Sequence, residues 1–260
     1  MNIRKIAIYA ATLALSWAIA GPVAAATAET PAQSYAVLSL IGDKMTVVWF
    51  HQSTASNLDR NERQEVPTQD TTFDNTALLA VNDAVKRVAP HASTVLLASR
   101  DPALYKLQSQ IPDEATEATP SMSALAALAQ RSKATRLILI TKHKSEARLQ
   151  FKDSRLGTGW LSGLGFFVDQ ERVTADSVSG IEDVGFIAPY AYLAVSLIDT
   201  STMKTLRRSI IRESTVVASA RSRNVVRPWD ALTPKQKLDA LEAAIRKGVD
   251  QAVPELLAGG

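Results

Sequence analysis

The sequence predicts an α/β fold: a single layered domain over residues 27–260, with a mixed β-sheet, packed helices and an amphipathic C-terminal helix. Three observations lead to this class. Short aliphatic, β-branched runs alternate with helical patterns in the first half, which is typical of layered α/β domains. Longer runs suited to antiparallel strands follow in the second half. A capped apolar stripe at helical spacing then ends the chain.

The N-terminus has the order of a secretory signal peptide, which we assign to residues 1–26. Arg4 and Lys5 supply charge, and an apolar run of about 15 residues follows. Ala24 with Ala26 suits signal peptidase and favours cleavage after Ala26, and Ala26 with Ala28 makes cleavage after Ala28 the alternative. That run is shorter than the roughly 20 residues of a membrane-spanning helix. We therefore expect a periplasmic protein with no transmembrane segment after signal removal. Because the chain has no cysteine, we also expect no lipid anchor and no disulfides.

Composition narrows the possible partners. The chain has 29 Lys and Arg against 26 Asp and Glu, and removing Arg4 and Lys5 leaves a net charge of +1. Nucleic-acid binders concentrate basic charge on one face, so no nucleic-acid partner is expected. Residues 27–260 are long enough to bury an adequate hydrophobic core. We expect a monomeric or weakly associated protein.

The first half contains alternating strand and helix patterns. Residues 35–50 hold two strand-like runs around Gly42-Asp43, which predict a β-hairpin, and residues 52–72 lack periodicity and predict a solvated loop. The elements predicted next are a helix over 76–88, a buried strand over 93–99, a helix from Pro102 to about Gln110 capped by Asp101, a helix over 122–131 capped by Ser121, and a buried strand over 137–140.

The second half predicts antiparallel strands and the clearest helix. Residues 146–152 alternate like a strand, and residues 188–199 and 204–218 predict a long hairpin. Thr233, Pro234 and Gln236 then supply a cap, a first-position proline and a capping box. The apolar stripe of this helix consists of Leu238, Leu241, Ile245, Val249 and Val253.

Two segments resemble the CsgG and TolB N-terminal group. Residues 125–140 are similar to its helix followed by a strand, and residues 192–206 look like its paired strands around an aspartate turn. The resemblance covers about 30 residues and implies an α/β module with accessory roles in the cell envelope and no active site. Many members of that group are lipoproteins, whereas this chain lacks cysteine.

A glycine-rich segment over residues 157–167 is the candidate binding site. We predict a loop here, because glycines weaken regular structure and the aromatic side chains offer contact surface. The candidate residues are Gly157, Gly159, Trp160, Gly163, Gly165, Phe166 and Phe167. The alternative is a hairpin tip or loop whose aromatics pack into the core. The segment lacks the lysine of a phosphate loop and the serine spacing of a hydrolase elbow.

No catalytic signature stands out. His51, His91 and His143 are the only histidines and lack metal-ligand spacing, so neither metal nor cofactor is expected. Asp59, Glu62 and Glu65 would form a carboxylate cluster only if their segment were helical. Trp229 is expected to pack against the final helix, with a glycan platform as the minority interpretation.

These observations favour a non-enzymatic envelope module that binds a protein partner. The alternative is a hydrolase or small-ligand-binding enzyme that uses the glycine-rich loop over 157–165 and a strand-end histidine, His51 or His143. The catalytic residues of such an enzyme, the partner and the biological process are unknown from the sequence.

Overall fold

The computed structural model describes residues 33–52, 59–68, 70–108, 120–151, 154–175, 182–218 and 227–258. The predicted signal peptide lies outside the described residues, so its cleavage stays a prediction. No helix in the described part of the chain combines the length and the apolar character needed to cross a bilayer.

The structure confirms an α/β domain with a mixed sheet, packed helices and a C-terminal helix. The strands are β1 (Ser34–Ser39), β2 (Lys44–Trp49), β3 (Glu62–Pro67), β4 (Ser93–Leu97), β5 (Arg136–Lys142), β6 (Lys144–Glu146), β7 (Leu149–Phe151), β8 (Ser154–Leu156), β9 (Trp160–Ala175), β10 (Glu182–Asp199), β11 (Thr205–Ser214) and β12 (Val217–Ala218). The helices are α1 (Thr72–Val88), α2 (Pro102–Leu107), α3 (Pro120–Ser132) and α4 (Pro234–Leu257), and a 3-10 turn covers Pro228–Ala231.

The long strand β10 organises the sheet. Residues 190–198 pair with β11, and Phe186 and Ile187 pair with β12. Residues 182–192 also pair with β9, and residues 193–199 with β5. A residue can pair with only one strand on each edge, so β9 and β5 share the edge of β10 opposite β11. These two strands therefore run end to end along β10 in the same direction.

This arrangement decides the relation of β1 to β2. β1 pairs in parallel with β5, and β2 pairs in parallel with β9, so β1 and β2 also run end to end in the same direction. The hairpin predicted for residues 35–50 is therefore wrong. The physical reason is Asp74, whose carboxylate accepts the backbone N–H groups of Ile41 (2.9 Å) and Gly42 (3.2 Å). The Asp74 side chain thus satisfies the backbone N–H groups of the bend. The bend therefore forms without hydrogen bonds between β1 and β2.

Three clusters of apolar side chains cover the two faces of the sheet. One face packs against α1 and α4, as Val81 and Ile245 are fully buried with strand residues such as Val195. On the other face, α2 and α3 cover the β1–β5 end. The small β7–β8 hairpin covers the β9–β10 end with Leu149 and Leu156.

Most predicted elements are confirmed, with shifted ends. The helix predicted from residue 76 begins at Thr72, and the capping box at Thr233 and Gln236 is present. Part of the loop predicted for 52–72 is instead β3, a strand paired with β2. The strand predicted as buried near residue 95 exists as β4, but it lies at a sheet edge where Val95 and Leu96 are exposed.

Candidate functional site

The glycine-rich segment is not a loop through most of its length. Gly157 and Gly159 lie in the turn before β9, and residues 160–167 form the first half of that strand. Gly163 marks the point where β9 leaves β6 and begins to pair with β10. The loop prediction is therefore wrong beyond Gly159, because strand partners on both sides, β2 and β10, override the low strand propensity of glycine.

Gly165, Phe166 and Phe167 belong to the core. Phe166 packs edge-on against Trp229, with ring centroids 5.5 Å apart, and Phe167 stacks on Phe186 at 6.0 Å. A side chain at Gly165 would place its Cβ atom 1.9 Å from the backbone oxygen of Thr46, so the contact between β2 and β9 requires glycine. A binding role for the segment stays a prediction, and this burial restricts it to Trp160 and the turn before it.

Trp160 is the exposed aromatic of the segment. Its side chain is 49% exposed, although most large aromatics in the described residues are buried or partly buried. Trp160 pairs across the strands with Glu146, and the Nζ atom of Lys144 lies 5.7 Å from the indole centroid. The indole is thus a half-exposed apolar surface bordered by charges of both signs.

Three polar residues hold the backbone under this indole, and we call Asp59, Asn61 and Arg63 the clasp. The Asp59 carboxylate accepts the N–H of Trp160 at 3.0 Å, and Arg63 donates to the carbonyl oxygen of Trp160 at 3.0 Å. Asn61 donates to the carbonyl of Thr158 at 2.7 Å, and Arg63 also forms an ion pair with Asp59. The clasp therefore fixes the direction in which Trp160 leaves the surface.

The charge of Asp59 maintains the clasp. Burial opposes ionisation of this carboxyl group, but hydrogen bonds from the Arg63 side chain and from the backbone N–H groups of Trp160 and Asn61 outweigh it and lower its pKa. Gly159 has a φ of +80°, and a Cβ atom there would lie 2.4 Å from the Asp59 carboxyl carbon. Glycine at this position lets the turn approach the carboxylate.

The carboxylate cluster considered from the sequence does not form. Asp59 binds Arg63, Glu65 forms an ion pair with Lys44 at 2.6 Å, and Glu62 lies 3.8 Å from His51. The clasp was missed because its residues lie in a region without periodicity. Their partners are about 100 residues away in the sequence, so no local pattern could have identified them.

A second polar cluster surrounds Asp74, at the end of the parallel strands. Besides the two amides, the Asp74 carboxylate accepts the hydroxyl groups of Ser39 (2.6 Å) and Tyr105 (2.7 Å). Burial, and then the hydrogen bond to Asp74, raises the pKa of Tyr105. Burial lowers the pKa of Lys142, whose ammonium group forms an ion pair with Asp43. These contacts join β1, β5, α1, α2 and the bend between β1 and β2, and each is explained by packing and satisfied hydrogen bonds.

The strand-end histidines lie apart. His51 follows β2 and has an exposed side chain. His143 is partly buried, and its backbone N–H donates to the backbone carbonyl of Tyr192. The strand registers place the two histidines beside positions of β9 that are about seven residues apart, which corresponds to roughly 20 Å. Among the described residues, no three His, Asp or Glu side chains gather as metal ligands would. The expectations of no metal and no cofactor stay predictions.

Trp229 packs as expected from the sequence. It lies partly buried against the main cluster, with its ring 5.9 Å from that of Trp49. The Nζ atom of Lys237, in the first turn of α4, lies 3.9 Å from the ring centroid. Trp229 therefore connects the sheet to the start of the final helix.

Comparisons with known proteins give low similarity. No family model matches the chain, and no curated relative matches it. Among solved structures, it is similar to a neuraminyllactose-binding hemagglutinin homolog from Helicobacter pylori (9% identity, 88% of this chain and 87% of that chain covered, TM-score 0.41). It is also similar to a DUF330 protein from Xanthomonas campestris (8% identity, 86% of this chain and 81% of that chain covered, TM-score 0.31). A third similar structure is a lipoprotein from Neisseria meningitidis (10% identity, 75% of this chain and 88% of that chain covered, TM-score 0.27). These TM-scores are too low to carry an inference about function, and the resemblance to the CsgG and TolB group stays a prediction.

Proposed function

We propose that this chain is an exported periplasmic module of the cell envelope that binds a protein partner through Trp160 and carries out no catalysis. The observation that supports this function is the half-exposed indole of Trp160, whose backbone N–H and carbonyl are both hydrogen-bonded to side chains. Leaving a large aromatic in water forgoes the favourable free energy of burying it. Tryptophan, with tyrosine and arginine, is also enriched among the side chains that dominate protein–protein binding.

The clasp supports this proposal by fixing the indole before binding. Ordering side chains and loops at an interface costs free energy, so a position that is already ordered binds more tightly. Asp59 and Arg63 hold both backbone polar groups of Trp160, and Glu146 lies opposite Trp160 on the neighbouring strand. The partner surface should therefore offer a preformed apolar pocket for the indole.

Charged groups around the indole give the partner a second requirement. Lys144 lies near the ring, and an ion pair joins Glu146 to Arg148 at 3.0 Å. A polar rim around an apolar centre is the usual anatomy of a specific interface. The matching surface should carry both acceptors for Lys144 and donors for Glu146.

Affinity capture from envelope extract tests the proposal. The exported chain is immobilised as wild type, as Trp160→Ala and as the matched control Leu206→Ala. Leu206 is 46% exposed and lies on β11, a different strand. Truncating a dominant side chain costs at least about 2 kcal/mol, so Trp160→Ala should bind the captured protein roughly 30-fold more weakly. The control should bind like wild type.

Gly159→Ala provides an independent variant, because its Cβ atom would displace the Asp59 carboxylate while leaving the indole present. It should weaken capture as well. Equal capture by wild type and Trp160→Ala would overturn the proposed function.

A further inference from the structure

The edge of the sheet at β4 differs from its other exposed edges. Edge strands usually carry charged residues or proline, which prevent pairing with another chain. β3 carries three charged residues and Pro67, and β11 carries three arginines and a glutamate. Residues 92–99, which include β4, contain no charged residue.

Within the described residues, the backbone of β4 has no strand partner on its outer side. The N–H of Ser93 donates to the carbonyl of Gln33, toward β1. Because successive residues alternate in direction, the backbone groups of Thr94 and Leu96 point away from β1. No described strand pairs with that outer edge. Among the described residues, this edge therefore presents a row of backbone donors and acceptors without a strand partner.

Exposed apolar side chains concentrate beside this edge. Of the seven large apolar side chains exposed among the described residues, four lie on β4 or on the neighbouring α1, namely Val95, Leu96, Leu79 and Val88. α1 lies over β4, since the Thr94 hydroxyl donates to the side-chain oxygen of Asn82 at 2.6 Å. Leu79, one turn before Asn82 on the helix, adds to the apolar surface on the same side of the sheet as Leu96.

We propose that a second copy of this chain pairs with β4 in antiparallel orientation, making one continuous sheet across a two-fold axis. With Leu96 opposite Leu96 of the other copy, Val95 faces Leu97 and Thr94 faces Ala98. Every pair in this register within residues 93–99 is uncharged, so this part of the edge is complementary to itself. A partner strand with the charges of β3 or β11 would place ions against Val95 and Leu96.

Sedimentation analysis of the exported chain over a range of micromolar concentrations tests this pairing. The wild-type mass should rise toward twice that of one chain, and Leu206→Lys, with the same charge on another exposed leucine, should behave identically. Leu96→Lys places like charges opposite each other and should weaken association at least about tenfold. A wild-type mass of one chain at every concentration would overturn the proposal and leave the edge to a different partner.

A single engineered thiol tests the register without disturbing the fold. The chain has no cysteine, so Leu96→Cys can form a disulfide only with a second copy. Oxidation should convert Leu96→Cys to a covalent dimer and leave Leu206→Cys as single chains. Equal crosslinking of the two variants would overturn the two-fold pairing at β4. The failure of either experiment would leave the proposed role of Trp160 untouched, since that residue lies on a different strand.

Discussion

Two aromatic residues of one short segment should respond very differently to truncation. Phe167 is fully buried and stacks on Phe186 at 6.0 Å, whereas Trp160 is 49% exposed. Replacing a buried phenylalanine by alanine removes apolar contacts and leaves a cavity, at a cost of about 4 kcal/mol. Trp160 has lost only about half of its accessible surface, so Trp160→Ala should cost at most about 2 kcal/mol.

Denaturant and thermal unfolding measure this contrast. For a domain of this size, each kcal/mol lowers the Tm by roughly 2 to 4 °C, so Phe167→Ala should lower it by about 8 to 16 °C. Trp160→Ala should lower it by no more than about 8 °C. Both variants should still fold, because domains of this kind have about 5 to 15 kcal/mol of stability. Equal losses for the two variants would refute the assignment of Trp160 to the surface and Phe167 to the core.

Three further changes have defined outcomes. Gly165→Ala should lower the free energy of unfolding in urea by about 3 kcal/mol or more, because the new Cβ atom meets the backbone oxygen of Thr46. Thr233→Ala should cost about 1 kcal/mol through loss of the α4 cap, and Thr233→Ser should retain most of it. The pKa of Asp59 is lowered from 3.8, so its stabilising contribution is complete above that pH and is lost as the pH falls through the lower folded-state value. The amide proton resonance of Trp160 should follow this titration in wild type and not in Asp59→Asn.

Local patterns in the sequence predicted the elements that local interactions determine. The α4 start is an example, since Thr233 and Gln236 make both hydrogen bonds of the capping box within one turn. The Asp101 cap of α2 and the turn between β10 and β11 are others. In each case the decisive contacts join residues only a few positions apart.

The failures have the opposite character. The bend at Gly42 looked like a hairpin turn because nothing nearby shows that Asp74, 32 residues later, binds its amide. The glycines of β9 weaken a strand locally, and only pairing with β2 and β10 restores it. β4 has the composition of a buried strand, and its exposure depends on which strands lie beside it. In all three cases, contacts between residues far apart in the sequence decided the structure.

Only part of the candidate site was predicted, again because its contacts join residues far apart in the sequence. The unusual composition of residues 157–167 drew attention to Trp160, but a sequence cannot separate the exposed indole from the buried Phe166 and Phe167 before their strand is placed. The clasp joins Asp59 and Arg63 to residues about 100 positions away. Those contacts exist only in the folded chain.

Site-specific photo-crosslinking in living cells tests the role of Trp160 most directly. A benzoylphenylalanine placed at position 160 of the exported chain keeps a large aromatic side chain at the same exposed site, and one at position 206 serves as the control. Irradiation should join position 160 to one discrete envelope protein and leave position 206 without that product. Absence of a discrete adduct at position 160, or the same adduct from both positions, would contradict the binding function.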